Sequence, residues 1–151
     1  MASRDVSQIE VGQAYFELHH QVHRIVDQAM CAAGLSLARA KVLMRLHDRG
    51  PMNQATLAGL LGYAPRSVTD TVDALERDGL VVRTEDERDR RARIVALTPA
   101  GVDAFETAQT VRQKAMDEIF GSLTSRERAT LVDLLATIRT NLPTGENPCA
   151  Q

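Results

Sequence analysis

The sequence has few aromatic residues and little cysteine. Aromatic residues make up 3% of its 151 residues, and tryptophan is absent. Its core must therefore consist mainly of Leu, Val, Ile, Ala and Met, a set typical of helices. The two cysteines, Cys31 and Cys149, are far apart and form no CxxC pair, so neither a disulfide framework nor a structural zinc site is expected. We expect Cys31 to be a small buried apolar residue rather than an oxidation sensor.

Long apolar runs and a strong net charge are also missing. No run of about 18 apolar residues occurs, and the first residues, MASRDVSQIEVGQ, contain no apolar signal-peptide core. These absences predict a cytoplasmic protein without membrane association. The formal net charge is −2, so a nucleic-acid partner would have to be bound through local basic clusters. Because GxSxG, HExxH and phosphate-loop motifs are absent, we expect neither enzymatic activity nor a cofactor.

What the sequence does contain is a succession of amphipathic helices. The apolar residues from Val11 to Ala29 recur at spacings of four and three, which predicts a long helix that packs against another helix. Apolar periodicity predicts a second helix from about Leu37 to His47. A short third helix follows the N-cap residue Asn53, and a fourth runs from Pro65 to just before Gly79. With 44% apolar residues, the chain 1–151 is expected to form a single domain.

A polar segment between two β-favouring runs follows the fourth helix. The runs LVVRT (80–84) and RIVAL (93–97) flank the segment EDERDRRA (85–92), which predicts a long-looped hairpin rich in arginine. Thr98 and Pro99 then open a long helix towards Phe120, and a capping box at 124–127 opens the last helix. The segment 143–151 is expected to be a disordered tail. The sequence therefore predicts a mainly α protein of six helices with a small β-hairpin.

A short helix, a tight turn and a second helix form the helix-turn-helix pattern, whose second helix can lie in the DNA major groove. An arginine-rich hairpin directly after it can reach the adjacent minor groove as a wing. The segment DERDRRARIVALTPAG (86–101) resembles the wing and helix start of the MarR family, with its Asp-x-Arg followed by Leu-Thr-x-x-Gly. The segment PRSVTDTVDALERDGLVVR (65–83) is similar to that family's recognition helix. The resemblance covers about residues 8–142 and implies a winged helix-turn-helix region at 37–97.

The resemblance also implies which residues contact double-stranded DNA. Arg91 matches the wing arginine that enters the minor groove, and Asp89 matches the carboxylate that braces it. Arg66 is the best candidate for reading a base, since a guanidinium can bond guanine O6 and N7 together. The remaining predicted DNA contacts are Ser67, Thr69 and Asp70 on the recognition helix, Arg88 and Arg90 in the wing, and Asn53, Gln54 and Thr56 as phosphate contacts from the preceding helix.

The same resemblance implies a homodimer held by helices within 8–31 and 99–142, and we expect it to act as a repressor that binds a pseudo-palindromic operator. A small aromatic or phenolic effector would release it from DNA. Its pocket is expected near seven residues of the first two helices: Tyr15, Phe16, His19, His20, His23, Met44 and His47.

Other interpretations stay open. His19 and His23, four residues apart, could hold a metal on one helix face, but we favour a share in the effector pocket because no local Cys or carboxylate completes a site. A regulator that senses oxidation through Cys31 is a related alternative. A winged-helix module that binds protein rather than DNA is the alternative from another class, and the net charge of −2 favours it.

Overall fold

The structure is a computed structural model that describes residues 5–89 and 92–142. The described residues form six helices and three strands in the order α1 (Gln8–Ala32), α2 (Leu37–Arg49), β1 (Met52–Asn53), α3 (Gln54–Leu61), α4 (Pro65–Arg77), β2 (Val81–Glu85), β3 (Arg93–Leu97), α5 (Pro99–Phe120) and α6 (Ser125–Thr140). The prediction of six helices with a small β wing is confirmed.

Capping residues explain where several helices begin. The side chains of Ser7, Ser36 and Asn53 each accept a hydrogen bond from the first turn of the helix that follows. Thr124 and Glu127 form the predicted capping box of α6. These caps satisfy backbone N–H groups that have no partner within the helix.

The sheet is antiparallel, with β3 between β1 and β2. In the hairpin, Val81 pairs with Leu97 and Glu85 pairs with Arg93. The sequence did not predict β1, because its two residues are too few to show a period. β1 ties the start of α3 to the base of the wing.

The chain divides into two compact units, one up to Ala115 and one from Met116 onwards, and α5 runs through the boundary. In the first unit, Leu43, Leu57, Leu75 and Val95 are fully buried and join α2, α3, α4 and β3 in one core. The expectation of a single domain stays a prediction.

In the second unit, no described residue is buried. The apolar stripe of α6 is exposed, with Val132 64% and Leu134 57% accessible. The first half of α1 has a similar face, since Phe16 is 62% exposed. The stripe of α1 was predicted to pack against another helix, and both helices were expected to hold a dimer; among the described residues of this single chain these faces are exposed.

Cys31 is exposed, so the expectation that it would be buried is wrong. It follows Met30, which is fully buried on the inner face of α1. The helix turns by about 100° per residue, so the cysteine lies off the buried face. Cys149 lies outside the described residues.

Within residues 5–89 and 92–142, none of the helices combines the length and the apolar character that crossing a membrane requires.

Candidate nucleic-acid interface

The helix-turn-helix consists of α3, a turn that contains Gly62, and α4. Gly62 has a φ of 64°, a left-handed conformation that glycine adopts without strain. On α4, Val68, Val72 and Leu75 are buried against the core. The opposite face exposes the four predicted contacts of this helix: Arg66, Ser67, Thr69 and Asp70.

The predicted phosphate contacts at the start of α3 have different surroundings. The Asn53 side chain is used in the cap, since its Oδ1 accepts from the Thr56 backbone N–H at 2.8 Å. Thr56 is exposed. Gln54 forms a bridge: its Nε2 donates to Thr69 Oγ1 at 3.0 Å, and its Oε1 accepts from Arg83 Nε at 2.8 Å. Gln54 therefore connects α3 with both α4 and the wing.

Arg83 is the centre of this polar cluster, and the sequence analysis did not single it out. Its Nη2 contacts Asp73 Oδ1 at 2.5 Å, and its Nη1 contacts Glu76 Oε2 at 2.6 Å. The Arg83 backbone N–H also donates to Glu76 Oε1 at 3.1 Å. The Arg83 side chain is only 13% exposed. Because Asp73 and Glu76 belong to α4 and Arg83 to β2, the cluster fixes the recognition helix relative to the wing.

The contacts within the cluster shift the pKa of Glu76 and the pKa of Arg83. The side-chain hydrogen bond from Arg83 is the main reason that the pKa of Glu76 lies below its ordinary value. Burial by itself lowers the pKa of Arg83, but the hydrogen bonds to Asp73 and Glu76 outweigh burial and raise it. Glu76 and Arg83 are therefore both charged at neutral pH.

One sequence signal could have revealed Arg83. Residues two apart on a strand point to the same side of a sheet, and Val81, two positions earlier, is only 2% exposed. An arginine that points to the same side of the strand as a buried valine needs carboxylate or amide partners. Those partners lie on α3 and α4, too far away in sequence for local patterns to identify.

At the wing, Arg88 and Asp89 are exposed. The Arg88 backbone N–H donates to Asp86 Oδ1 at 2.8 Å, and the Ala92 N–H donates to the Asp89 carbonyl oxygen at 2.9 Å. Arg90 and Arg91, two of the predicted contacts, lie outside the described residues. The bracing of Arg91 by Asp89 therefore stays a prediction. A cleft of about 460 Å³ separates the start of α3 from the base of the wing; it is lined by Asn53, Gln54, Ala55, Asp89, Ala92 and Arg93.

The Leu-Thr-x-x-Gly segment has a clear structural role at the base of the wing. Thr98 Oγ1 donates to the Gly79 carbonyl oxygen at 2.6 Å and accepts from the Gly101 N–H at 3.0 Å. A Cβ atom at Gly101 would overlap the Leu80 carbonyl oxygen. The start of α5 is therefore in close contact with the chain that leaves the recognition helix.

The predicted effector-binding residues fall into two groups. The first lies on α1, where Tyr15, Phe16, His19, His20 and His23 are exposed. The rings of Tyr15 and His19 are stacked with centroids 5.9 Å apart, and His19 and His23 are 6.4 Å apart. Among the described residues, no group of three or more His, Cys, Asp or Glu side chains is placed to hold a metal ion.

The second group joins α2 and α5. The His47 ring is stacked on the ring of buried Phe105, with centroids 3.7 Å apart. Met44 Sδ accepts a hydrogen bond from Arg112 Nη1 at 3.3 Å. Phe105 and Arg112 were not among the predicted pocket residues, because a residue distant in sequence can be assigned to a pocket only from tertiary structure.

Two further contacts connect α2 with its neighbours. Arg39 forms an ion pair with Asp78 at the end of α4, and the Arg39 side chain is only 20% exposed. The Lys41 ammonium group lies 5.4 Å from the centre of the ring of Tyr63, the residue after Gly62 in the turn. Both contacts tie α2 to the helix-turn-helix.

Comparison with known proteins finds similarity to the MarR family and to HTH-type transcriptional regulators. Residues 35–92 match the model of the MarR family. The uncharacterised HTH-type transcriptional regulator YdgJ of Bacillus subtilis (strain 168) is 28% identical over 109 residues, which are 72% of this chain and 66% of YdgJ. The chain thus spans slightly less than two thirds of that relative.

Solved structures match over most of this chain. A mutant MarR from E. coli complexed with operator DNA is 26% identical with a TM-score of 0.77, and the match covers 89% of this chain and 95% of the other. BpsR of Bordetella bronchiseptica, whose DNA binding is regulated by 6-hydroxynicotinic acid, is 25% identical with a TM-score of 0.76. That match covers 86% of this chain and 98% of BpsR.

Proposed function

We propose that the chain, whose residues 35–92 match the model of the MarR family, is a transcriptional repressor of that family which binds double-stranded DNA as a homodimer and is released by a small effector. The observation that carries this proposal is the pairing of an exposed polar face on α4 with a wing held to the same helix by Arg83. A rigid helix–wing unit can enter a major groove and the neighbouring minor groove together.

Charge supports local rather than global attraction to DNA. The formal net charge is −2, so binding depends on the arginines of α4 and the wing. Arg66 lies at the start of α4, where the positive end of the helix dipole adds to its own charge. Arg88, Arg90 and Arg91 follow in the wing segment. Arg66 is proposed to read guanine, and the wing arginines to sense the minor-groove potential.

The homodimer is supported by apolar faces that the single chain leaves exposed. On α6, Val132, Leu134 and Ile138 are 64%, 57% and 51% exposed, and on α1 Phe16 is 62% exposed. Exposed apolar faces of this kind favour association with a partner. A twofold dimer would present two recognition helices to one face of DNA, which matches a pseudo-palindromic site.

Release by an effector is supported by the exposed aromatic and histidine rings of α1 and by the similarity to BpsR. A ligand that binds more tightly to a dimer with mis-spaced recognition helices lowers the DNA-bound population by its differential affinity. Aromatic acids and phenols match the stacked rings of Tyr15 and His19.

Selection of bound duplexes from a random DNA pool tests the proposed function. We expect a pseudo-palindrome whose half-site centres are roughly 34 Å apart, about one turn of DNA. Arg66→Ala is the matched variant, and its selected sequences should lose preference at one position of each half-site. If the native chain enriches no sequence at any salt concentration, DNA binding is rejected and a protein-binding winged-helix module becomes the better account.

A further inference from the structure

The hydroxyl group of Thr69, on the exposed face of α4, is already engaged within the protein. Its Oγ1 donates to the Pro65 carbonyl oxygen at 3.1 Å and accepts from Gln54 Nε2 at 3.0 Å. A threonine hydroxyl has one proton to donate. Thr69 therefore has no proton left for a hydrogen bond to a base.

The orientation of Gln54 is fixed by a second contact. Its Oε1 accepts from Arg83 Nε at 2.8 Å, so its Nε2 is the end that faces Thr69. Arg83 in turn is held by Asp73 and Glu76. The arrangement of the Thr69 hydroxyl is thus determined by a chain of contacts that begins in the wing.

Most residues that surround Thr69 are apolar. It lines an open cleft of about 440 Å³ between α3 and α4, whose other lining residues include Ala55, Ala58 and Pro65. The Cβ atom of threonine carries a hydroxyl and a methyl group. The hydroxyl donates its proton to Pro65 and accepts one hydrogen bond from Gln54, which leaves the methyl group as the apolar part of this exposed side chain that can contact a ligand.

We propose that Thr69 recognises thymine in each half-site through contact between its methyl group and the C5-methyl group of the base. In the major groove this methyl group marks thymine, and threonine methyl groups are among its apolar partners. The inference rests on the proposed function, since it assigns base preference to a residue of the same recognition helix. Thr69 would then act as a specificity residue, with Gln54 and Arg83 as positioning residues.

Replacing thymine by uracil in the DNA tests this directly, because the two bases differ by that methyl group alone. Each thymine of the selected duplex is replaced singly by deoxyuridine, and the Kd is measured by fluorescence anisotropy. We expect one position in each half-site where the native protein binds about fourfold more weakly, the factor for one buried methyl group. Replacement in both half-sites should weaken binding about 15-fold, if the two contributions are independent.

Two conservative variants separate the methyl group from the hydroxyl. Thr69→Ser keeps the hydroxyl, and at that position it should bind thymine and uracil duplexes equally. Thr69→Val keeps a methyl group, and it should still prefer thymine. Thr71→Ser is the control, because Thr71 on the same helix makes a similar bond to the Ser67 carbonyl oxygen at 2.8 Å; its thymine preference should equal that of the native protein.

The outcomes that contradict the inference differ from failure of the proposed function. Sequence-specific binding without any uracil-sensitive position, or a Thr69→Ser variant that retains the thymine preference, overturns the methyl contact and leaves the DNA-binding proposal intact. Loss of the preference in Thr69→Val would show that a methyl group at position 69 is not sufficient for the preference, and it also overturns the inference. If no duplex is selected at all, both the inference and the proposed function are rejected.

Discussion

Replacing Arg83 with methionine tests the junction between recognition helix and wing. The Arg83→Met variant retains an unbranched apolar side chain but loses the guanidinium, which bonds Asp73, Glu76 and Gln54. The backbone N–H of residue 83 can still donate to Glu76. The change therefore removes the charge and three donor contacts with little loss of packing.

The expected loss of stability follows from exposure. Hydrogen bonds to charged groups contribute about 1.5–3 kcal/mol, whereas exposed ion pairs contribute about 0.2–1 kcal/mol. The Arg83 side chain is 13% exposed, but the side chains of Asp73 and Glu76 are 50% and 39% exposed. We therefore assign about 1 kcal/mol to each ion pair at most, and about 1 kcal/mol to the bond with Gln54. The free energy of unfolding should fall by about 2–3 kcal/mol.

Urea unfolding followed by circular dichroism measures this loss. With a slope of about 2 kcal/mol per molar urea, the midpoint should fall by about 1–1.5 M. Arg77→Met is the matched control, because Arg77 is an exposed residue at the end of α4, and its midpoint should change by less than about 0.3 M. Equal midpoints for the two variants would refute a stabilising role for the cluster.

The pH dependence of stability provides a second test of the contact between Arg83 and Glu76. Arg83 lowers the pKa of Glu76 from its ordinary 4.5. The stabilisation from this pair is therefore fully present above about pH 4.5 and is lost as the pH falls through the lowered pKa. The stability difference between native protein and Arg83→Met should shrink below that pH. A difference that stays constant from pH 7 to pH 3 would exclude Glu76 as the partner that matters.

Three further predictions concern the wing base, the DNA contacts and the dimer. Gly101→Ala should lower the thermal midpoint by several degrees, since the new Cβ atom overlaps the Leu80 carbonyl oxygen; an unchanged midpoint in calorimetry would contradict that close contact. Arg66→Ala should relax base preference while Arg91→Ala weakens binding evenly across sequences, each by about 1–3 kcal/mol in anisotropy titrations, and an equal loss on all sequences for Arg66→Ala would reduce it to a phosphate contact. Leu134→Glu, at a position 57% exposed, should yield monomers in sedimentation velocity, and a dimer as stable as the native one would exclude α6 from the interface.

The order of the helices was predictable because each helix carries its own start signal. Ser, Asn and Thr caps act within a few residues of the helix they begin, and the Thr124–Glu127 capping box is complete in the sequence. The exposed positions of Arg66 and Asp70 also followed from local periodicity, because Val68 and Val72 define the buried side of α4.

What the sequence did not predict depends on contacts between distant segments. Arg83 meets Gln54 across 29 positions, and β1 exists only because β3 lies beside it. Cys31 was expected to be buried, since its apolar character suggested the core, but the rotation of α1 is set by Val26 and Met30. The propensity of single residues and their spacing in the sequence do not show which distant segments will contact each other in the fold.

The dependence of DNA affinity on salt tests the central claim most directly. The Kd of the native protein for its selected duplex, and for a shortened duplex that contains only one half-site, is measured between about 50 and 300 mM salt. We expect the logarithm of affinity to fall linearly with the logarithm of salt concentration, with a slope for the intact duplex about twice that for the single half-site, because each recognition helix and wing contacts its own phosphates. A flat dependence, or equal slopes and affinities for the two duplexes, would contradict a dimer that binds DNA through two copies of α4 and the wing.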